Sequence, residues 1–472
     1  MAYGFQNLRL SGYEVEGIAN CKIQGNMGEH TTAYVKALLK EEGKEELIHA
    51  TGSNYPIELY VEDKDKKISL FYGIATKVSV RFEAEVYWLY LEAKSYTYLM
   101  DITRHSRSFQ DINMTYHEVI KSIVKNYSHA ECILNIPNVP IGQLLVQYEE
   151  TDWQFVKRIT STFNEGLFPA VEVQGIRFYA AVASVKAPEM VIKKINVKKD
   201  LDNYYKVKAN TATPTYEVSY TIYEVEADEI LYLMHHIVLN GHTFYIKKFT
   251  YELIEGLFVN HYELQIKSGL KEIEIFPMHL VGVSLGGKIL VPNEDKVKVH
   301  LDIDESQDEA KAYWFPYSTM SASNDGSGWY CMPEIGDTVR VYFPTKYTKD
   351  SVALSAVSIY DTPTGGTDRM SNPDVKYLGT VHDKEVKLAP EGIRIACNGS
   401  VAVLTVGQNG AISLYGQKSV HVTAEETIQI EVKEDLTMTA LETVEIACDK
   451  GGRVLLDEAG NIRLEGTQVK VD

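Results

Sequence analysis

The sequence predicts a mainly β chain with a folded β body and a repetitive β tail that one copy cannot bury alone. Three observations lead there. Short runs alternating apolar and polar residues fill the first hundred positions, a second set of such runs begins near residue 281, and paired aliphatics recur every eight residues from Leu404 onward.

At 472 residues the chain exceeds the size of a single hydrophobic core, and its length suggests about three domains. Its 47 basic and 65 acidic residues give a net charge of −18, a surface that repels phosphate backbones and argues against a nucleic-acid partner. The five cysteines, Cys21, Cys132, Cys331, Cys397 and Cys448, are widely spaced and form no CxxC pair. That pattern fits reduced thiols in a protein folded in the cytoplasm. The first residues lack a basic segment followed by an apolar run, and no stretch approaches 18 consecutive apolar residues. Neither a signal peptide nor a membrane span is expected.

Within the body, 57–61 and 86–91 read as strands. A helix is expected over 116–127, where Val119, Ile120, Ile123 and Val124 recur at helical spacing. A second runs over 152–163, with Thr151 or Asp152 as its cap and Phe155, Val156 and Ile159 on one face. Strand patterns resume at 175–183 and again from 244 to 266. A separate small β unit holds 297–301 and 338–343, and the turn-rich segments 361–367 and 371–374 mark a boundary. The expected organisation is a body over 1–280 with a helical insertion around 101–165, a small barrel over 281–360, a link over 361–390 and a tail over 391–472.

The tail carries the clearest pattern. Its pairs are Leu404/Val406, Ile412/Leu414, Val420/Val422, Ile428/Ile430, Leu436/Met438 and Val444/Ile446, then, after a two-residue shift at Asp449-Lys-Gly-Gly452, Val454/Leu456 and Ile462/Leu464. Val469/Val471 closes the series one residue early. A spacing of two puts both members of a pair on one strand face, and the even repeat keeps all pairs on that face. One turn of a single-chain β-solenoid needs roughly 18 residues, so an octad cannot encircle a core by itself. Three chains, each supplying one side, would close a triangular prism with the pairs on its axis. These sixteen aliphatics, Leu404 to Leu464, are therefore expected at a trimer interface. The alternative is an antiparallel meander. Asn409-Gly410 is a hairpin signal in its favour, while 423–427 and 431–435 contain no Gly, Asn or Pro to reverse the chain.

Candidate chemistry is sparse. Asp302-Ile-Asp-Glu-Ser-Gln-Asp308 begins with calcium-loop spacing, but Gln307 stands where the turn glycine belongs. His235, His236 and His242 have no carboxylate or cysteine at ligand spacing. Glu149, Glu150 and Asp152 fit a helix start better than a glycosidase pair. The glycine-rich 282–287 segment is followed by Lys288-Ile289 and lacks a phosphate loop's lysine–hydroxyl end. No catalytic residue, metal ligand or cofactor is assigned.

Four segments resemble the VgrG-type spike family and the fused hub–needle proteins of contractile phage tails. Tyr148-Glu-Glu-Thr-Asp-Trp-Gln-Phe-Val-Lys-Arg-Ile159 with Asn164-Glu-Gly166 is similar to the family's Y-x-E-T-D-x-x-F-V-x-R … E-G signature. The 99–111 stretch, containing Arg104, Ser106-Arg107-Ser108 and Phe109-Gln-Asp111, is similar to its L-x-x-R-x-S-R-x-F-Q-D segment. Gly328-Trp-Tyr330 and Pro333-Glu-Ile-Gly-Asp-Thr-Val-Arg-Val341 resemble its oligonucleotide/oligosaccharide-binding (OB) barrel, and the octads resemble its triple-stranded needle. The resemblance implies a hub of two related β-barrels with helical insertions, an OB-fold barrel and a C-terminal trimeric triple-stranded β-helix. It also implies a non-enzymatic, membrane-puncturing homotrimer that folds in the cytoplasm, joins an injection particle with Hcp-like inner-tube and baseplate proteins, and touches a target membrane only transiently. The turn after the last barrel strands departs from the family's acidic pattern, reading Pro344-Thr-Lys-Tyr-Thr-Lys349. The short 361–390 link leaves no room for a lysozyme insert. The last histidine is His421, so an iron-binding tip is not expected and a PAAR-like tip protein is. A tailspike-like glycan depolymerase or a passive trimeric adhesin are the alternative readings.

Overall fold

Alternation builds the body. Thr32–Leu39, Pro56–Asp63 and Val86–Ser95 each bury every second side chain, so one face of each strand lies in a core and the other in solvent. The structure is a computed structural model and describes all residues except 1–2, 41–48, 50, 64–65, 240, 321–322, 324–327, 356–368 and 469–472. It divides into two compact units, Met1–Ser358 and Ile359–Asp472.

The first unit is dominated by one twelve-stranded sheet whose two halves repeat the same pattern. In the first half, Lys66–Glu83, Val86–Ser95, Thr32–Leu39 and Val15–Asn26 are neighbours in that order; in the second, His242–Ile254, Leu257–Ile266, Thr221–Ala227 and Ile192–Lys199 follow the same order. The irregularities repeat as well. The bulge between Ala75 and Lys77 stands where the second half has one between Ile246 and Lys248, and Ile18/Asn20 is matched by Ile192/Lys194. Both long hairpins turn through two residues of positive φ, Ala84-Glu85 and Glu255-Gly256. The halves join where Lys22–Asn26 pairs antiparallel with Lys248–Glu252. Thus the two barrels expected of the hub are two halves of one continuous sheet, and the closed barrel among the described residues lies elsewhere. A shared core, with Phe71, Leu91, Phe249, Tyr251 and Leu264 fully buried, runs beneath both halves.

The insertion packs around a second core. Helix α1, Tyr116–Val124, starts with a capping box between Thr115 and Glu118 and buries Val119, Ile120 and Ile123. Helix α2, Asp152–Ser161, buries Trp153, Phe155, Val156 and Ile159 against the same core. The 175–183 stretch holds the strand Arg177–Ala180, which belongs to a three-stranded sheet and not to the main one. A third helix, α3, Leu201–Asn210, falls where no helix was expected; Asp200 caps it and Tyr204 and Val207 are its buried residues.

Ser284–Asn293, Lys296–Leu301, Trp314–Ser318, Thr338–Tyr342 and Val352–Ser355 form the closed five-stranded barrel. Gly287 is required where the chain crosses itself, because a Cβ there would lie 2.6 Å from the His300 carbonyl oxygen.

In the second unit, Lys376–Gly379, Lys384–Ala389, Gly392–Cys397, Ala402–Gly407 and Ile412–Gly416 form an antiparallel meander, and Val444–Ala447, Arg453–Leu456 and Ile462–Glu465 form another. The expected link 361–390 lies outside the described residues over 361–368. Its remainder carries two strands of the first meander, so regular structure starts before residue 391.

Candidate functional site

The tail stripe is an extended run of apolar side chains that the chain leaves to water. At its start Leu404 opposes Leu414 and Val406 opposes Ile412 around a turn through Asn409-Gly410. At its end Val444 opposes Leu456, Ile446 opposes Val454, Val454 opposes Leu464 and Leu456 opposes Ile462. A single copy therefore takes the meander at both ends of the repeat. Between them Val420, Val422, Ile428, Ile430, Leu436 and Met438 belong to no described strand. Their exposure runs from 49% at Val420 to 69% at Val422, and Ile412 and Ile462 each reach 72%. Burying such a side chain fully is worth about 1.5–3 kcal/mol, so the stripe represents a large burial energy that one copy does not realise. Val469/Val471 lies outside the described residues.

The 148–166 signature turns out to be a buried polar knot. Thr151 caps α2, accepting from the Gln154 amide at 3.2 Å, while the Gln154 side chain accepts from the Thr151 amide at 3.2 Å. Asp152 is fully buried and accepts from Arg107, from Gln147 at 3.0 Å and from the Tyr127 hydroxyl at 2.9 Å. Burial and then the Asp152 carboxylate push the Tyr127 phenol up, which keeps it a donor. Glu150 and Arg158 form a buried pair, Nε to Oε1 at 2.9 Å and Nη2 to Oε2 at 2.7 Å, and the same guanidinium donates to the Val146 carbonyl at 2.6 Å. Of the three candidate carboxylates, Glu150 and Asp152 are thus consumed inside the fold, while Glu149 is exposed and accepts from the Ser106 hydroxyl at 3.5 Å. Asp101 accepts from Thr151 and His30; burial raises its carboxyl, but these bonds outweigh it and hold the carboxyl below its usual range.

The 99–111 segment clamps the barrel to the insertion. Ser108 donates from its amide to Asp304 at 2.6 Å and from its hydroxyl to the other carboxylate oxygen. Gln110 donates to the Val299 carbonyl at 3.2 Å and accepts from the Tyr313 amide at 3.0 Å. On the other side Thr348 donates to the Leu144 carbonyl, and Leu144 and Val146 sit in the barrel core with Phe315, Val341 and Phe343. Burial raises the Asp304 carboxyl, opposed by the two Ser108 bonds.

The remaining candidates do not come together as a site. Asp304 serves the clamp, and Asp308 caps a short 3-10 turn through the Ala310 amide at 2.9 Å. His235 and His236 lie on the strand His235–Leu239, and His242 begins the strand after it. Among the described residues, no group of three or more His, Cys, Asp or Glu is placed to hold a metal ion. No described helix is long and apolar enough to cross a membrane.

Residues 290–357, which span most of the closed barrel, match the family model described as the type VI secretion system/phage-baseplate injector OB domain. A solved E. coli type VI secretion component, described as similar in structure to the bacteriophage T4 tail proteins gp27 and gp5, aligns over 73% of this chain and 98% of its own at a TM-score of 0.53 and 12% identity. The fold is that of the VgrG-type spike family. Two Francisella PdpA-VgrG complexes align over 87% of this chain, the lidded form over 79% of its own chain and the half-lidded form over 87%, each at a TM-score of 0.52 and 10% identity. A second family model, the Alg8 N-terminal domain, matches residues 51–194. No curated protein matches the chain. Sequence reasoning reached the VgrG-like motifs but missed what they do here. Ser108 and Asp304 are 196 positions apart, and no local pattern links them.

Proposed function

We propose that the chain is the trimeric central spike of a contractile injection apparatus. It would link an inner tube and baseplate, through its body, to a membrane-piercing needle, through its tail. The observation that carries this reading is the stripe of exposed aliphatic pairs repeated every eight residues. Two sister copies bury such a stripe without altering it, since all pairs share one strand face. Closing the strands between chains also removes open β edges, which suits a rod loaded along its axis. On this reading the hairpins of one copy rearrange into three-chain pairing when three copies meet.

The rest follows from that arrangement. Sheath contraction, supplied by other proteins, drives the spike forward. Three copies, each bringing two similar sheet halves, present six to a six-fold Hcp-like tube. A PAAR-like protein would seal the tip. Light scattering on the full-length chain tests the central claim. The expected mass is that of three copies, with Ile428→Asp losing it because three carboxylates would meet on the axis. A chain that stays monomeric, or an Ile428→Asp variant that keeps the trimer, would sink the proposal. Capture of an inner-tube protein by the body separates a spike from an adhesin.

A further inference from the structure

The insertion and the neighbouring turn at Asn54 line a cleft of about 550 Å³. That size falls in the range of small-ligand sites, about 300–1,000 Å³. Four separate pieces of chain meet around it. Tyr96 and Leu99 come from the 3-10 turn Tyr96–Asp101, and residues 127–129 follow the end of α1. Residues 174–176 lead into the strand Arg177–Ala180, and Asn54 lies in the turn before Pro56–Asp63. Three of these pieces hold a residue in the left-handed region, Asn54 at φ 61°, His129 at φ 55° and Gly175 at φ 99°. Asn and His tolerate that region better than most residues, and Gly enters it freely. At Gly175 the chain also passes close to its neighbour, since a Cβ would lie 2.9 Å from the His129 carbonyl oxygen. Left-handed non-glycine residues cost free energy and tend to gather at ligand sites.

The lining selects a class of ligand. None of its residues is Asp, Glu, Lys or Arg, so neither a phosphate nor an ammonium group would find a charged partner there. The adjacent charges are already taken. Glu131 pairs with Arg177, and Asp152, beyond the Tyr127 hydroxyl, pairs with Arg107. What remains is of two kinds. Tyr96, Leu99, Tyr127 and Ile176 supply rings and aliphatic surface, while Asn54, Ser128, His129 and Gln174 supply donors and acceptors. A wholly apolar ligand would strand those amides and the hydroxyl. A neutral saccharide satisfies both kinds, with the C–H face of a sugar ring on tyrosine and its hydroxyls among amides that both give and accept. Tyr127 is fixed in place by its bond to Asp152 at 2.9 Å. The lining holds no pair of carboxylates to act as acid and nucleophile, so the cleft is built to bind a glycan and not to cut it.

We infer that this cleft binds a neutral saccharide, with Tyr96 and Tyr127 as its stacking surfaces and Asn54, Ser128 and Gln174 as its hydrogen-bonding rim. Cell-wall glycan and surface polysaccharide share this chemistry and differ in their N-acetyl groups. The inference goes beyond the spike proposal and does not depend on the number of copies.

Saturation-transfer NMR on the full-length chain tests it, with the N-acetylglucosamine trisaccharide, maltotriose and the anionic galacturonate trisaccharide as probes. At least one neutral probe should bind, with saturation strongest on the C–H protons of its ring faces. Galacturonate should bind at least about tenfold more weakly, because its carboxylates would meet no cation. Ser128 and Gln174 are exposed, so both can be changed with the melting temperature kept. Ser128→Trp should fill the cleft and abolish the signal, and Gln174→Lys should turn the preference toward galacturonate. Preference for the N-acetylated probe assigns cell-wall glycan, preference for maltotriose assigns surface polysaccharide, and either supports the site. No saturation of either neutral probe, or saturation that Ser128→Trp leaves unchanged, overturns it. So does galacturonate binding as tightly as the neutral probes. Light scattering on the same samples separates the two readings: a trimer that binds no saccharide overturns the cleft alone, and a monomer that binds one overturns the spike alone.

Discussion

The body and the tail solve the same problem in opposite ways. In the body, every second residue of a strand finds a partner within the chain, so Phe71, Phe249 and Leu264 are completely dry. In the tail, the pattern is more regular and the partner is missing: Ile412 and Ile462 remain 72% exposed. The difference lies in what surrounds each strand. The body has long-range neighbours such as Lys22–Asn26 against Lys248–Glu252, while the described tail strands pair only with strands adjacent in sequence and the aliphatics from Val420 to Met438 belong to no described strand. Here the more regular sequence is the one whose apolar face a single copy leaves exposed, and the irregular one buries its own.

The sharpest way to break this contrast is a substitution that destroys one region and spares the other. Ile428→Asp should abolish the trimer while the body's cooperative unfolding is kept, as read by light scattering and calorimetry on the same sample. Glu150→Ala does the reverse. It strands Arg158 inside the fold and should cost the body about 3–5 kcal/mol in denaturant unfolding. Arg158→Met with Glu150→Leu should recover most of that loss, since a paired charge can be replaced by apolar volume. Ser108→Ala removes the hydroxyl bond to the Asp304 carboxylate, leaves the amide bond in place, and should cost about 1.5–3 kcal/mol, detectable as earlier proteolysis between barrel and insertion.

 The smallest effect concerns pH. Asp101 has a depressed carboxyl, so its contribution is present above the ordinary carboxylate range near about 4 and is lost as pH falls through its folded value. Asp101→Asn should therefore flatten the acid limb of the body's melting profile and leave the trimer mass at neutral pH unchanged.

Much of this contrast could be read without coordinates. The octads are legible because a period of two and a period of eight survive any environment, and the insertion helices are legible because Val119, Ile120, Ile123 and Val124 recur at helical spacing and Thr151 marks the second start. The duplication in the body is not legible. Its halves share bulges and turns while exchanging residues, with Gly25 answering to Lys199 and Phe249 to Val78. What repeats is backbone geometry, which many sequences satisfy. The clamp is hidden for a different reason: Ser108 is an ordinary serine until the fold brings Asp304 to it. Helix α3 went unseen because its apolar spacing is poor, with only Tyr204 and Val207 buried along ten residues.

Leu144 and Val146 belong to the insertion by sequence and to the barrel by packing. Cutting the chain near residue 280 would therefore not release two clean modules; it would leave one with a bare aliphatic knob and the other with an unfilled socket. Exchanging barrels between related proteins should succeed only when the donor's socket suits these two side chains. Barrel and insertion are thus bound to change together, as a lock and the key cut for it.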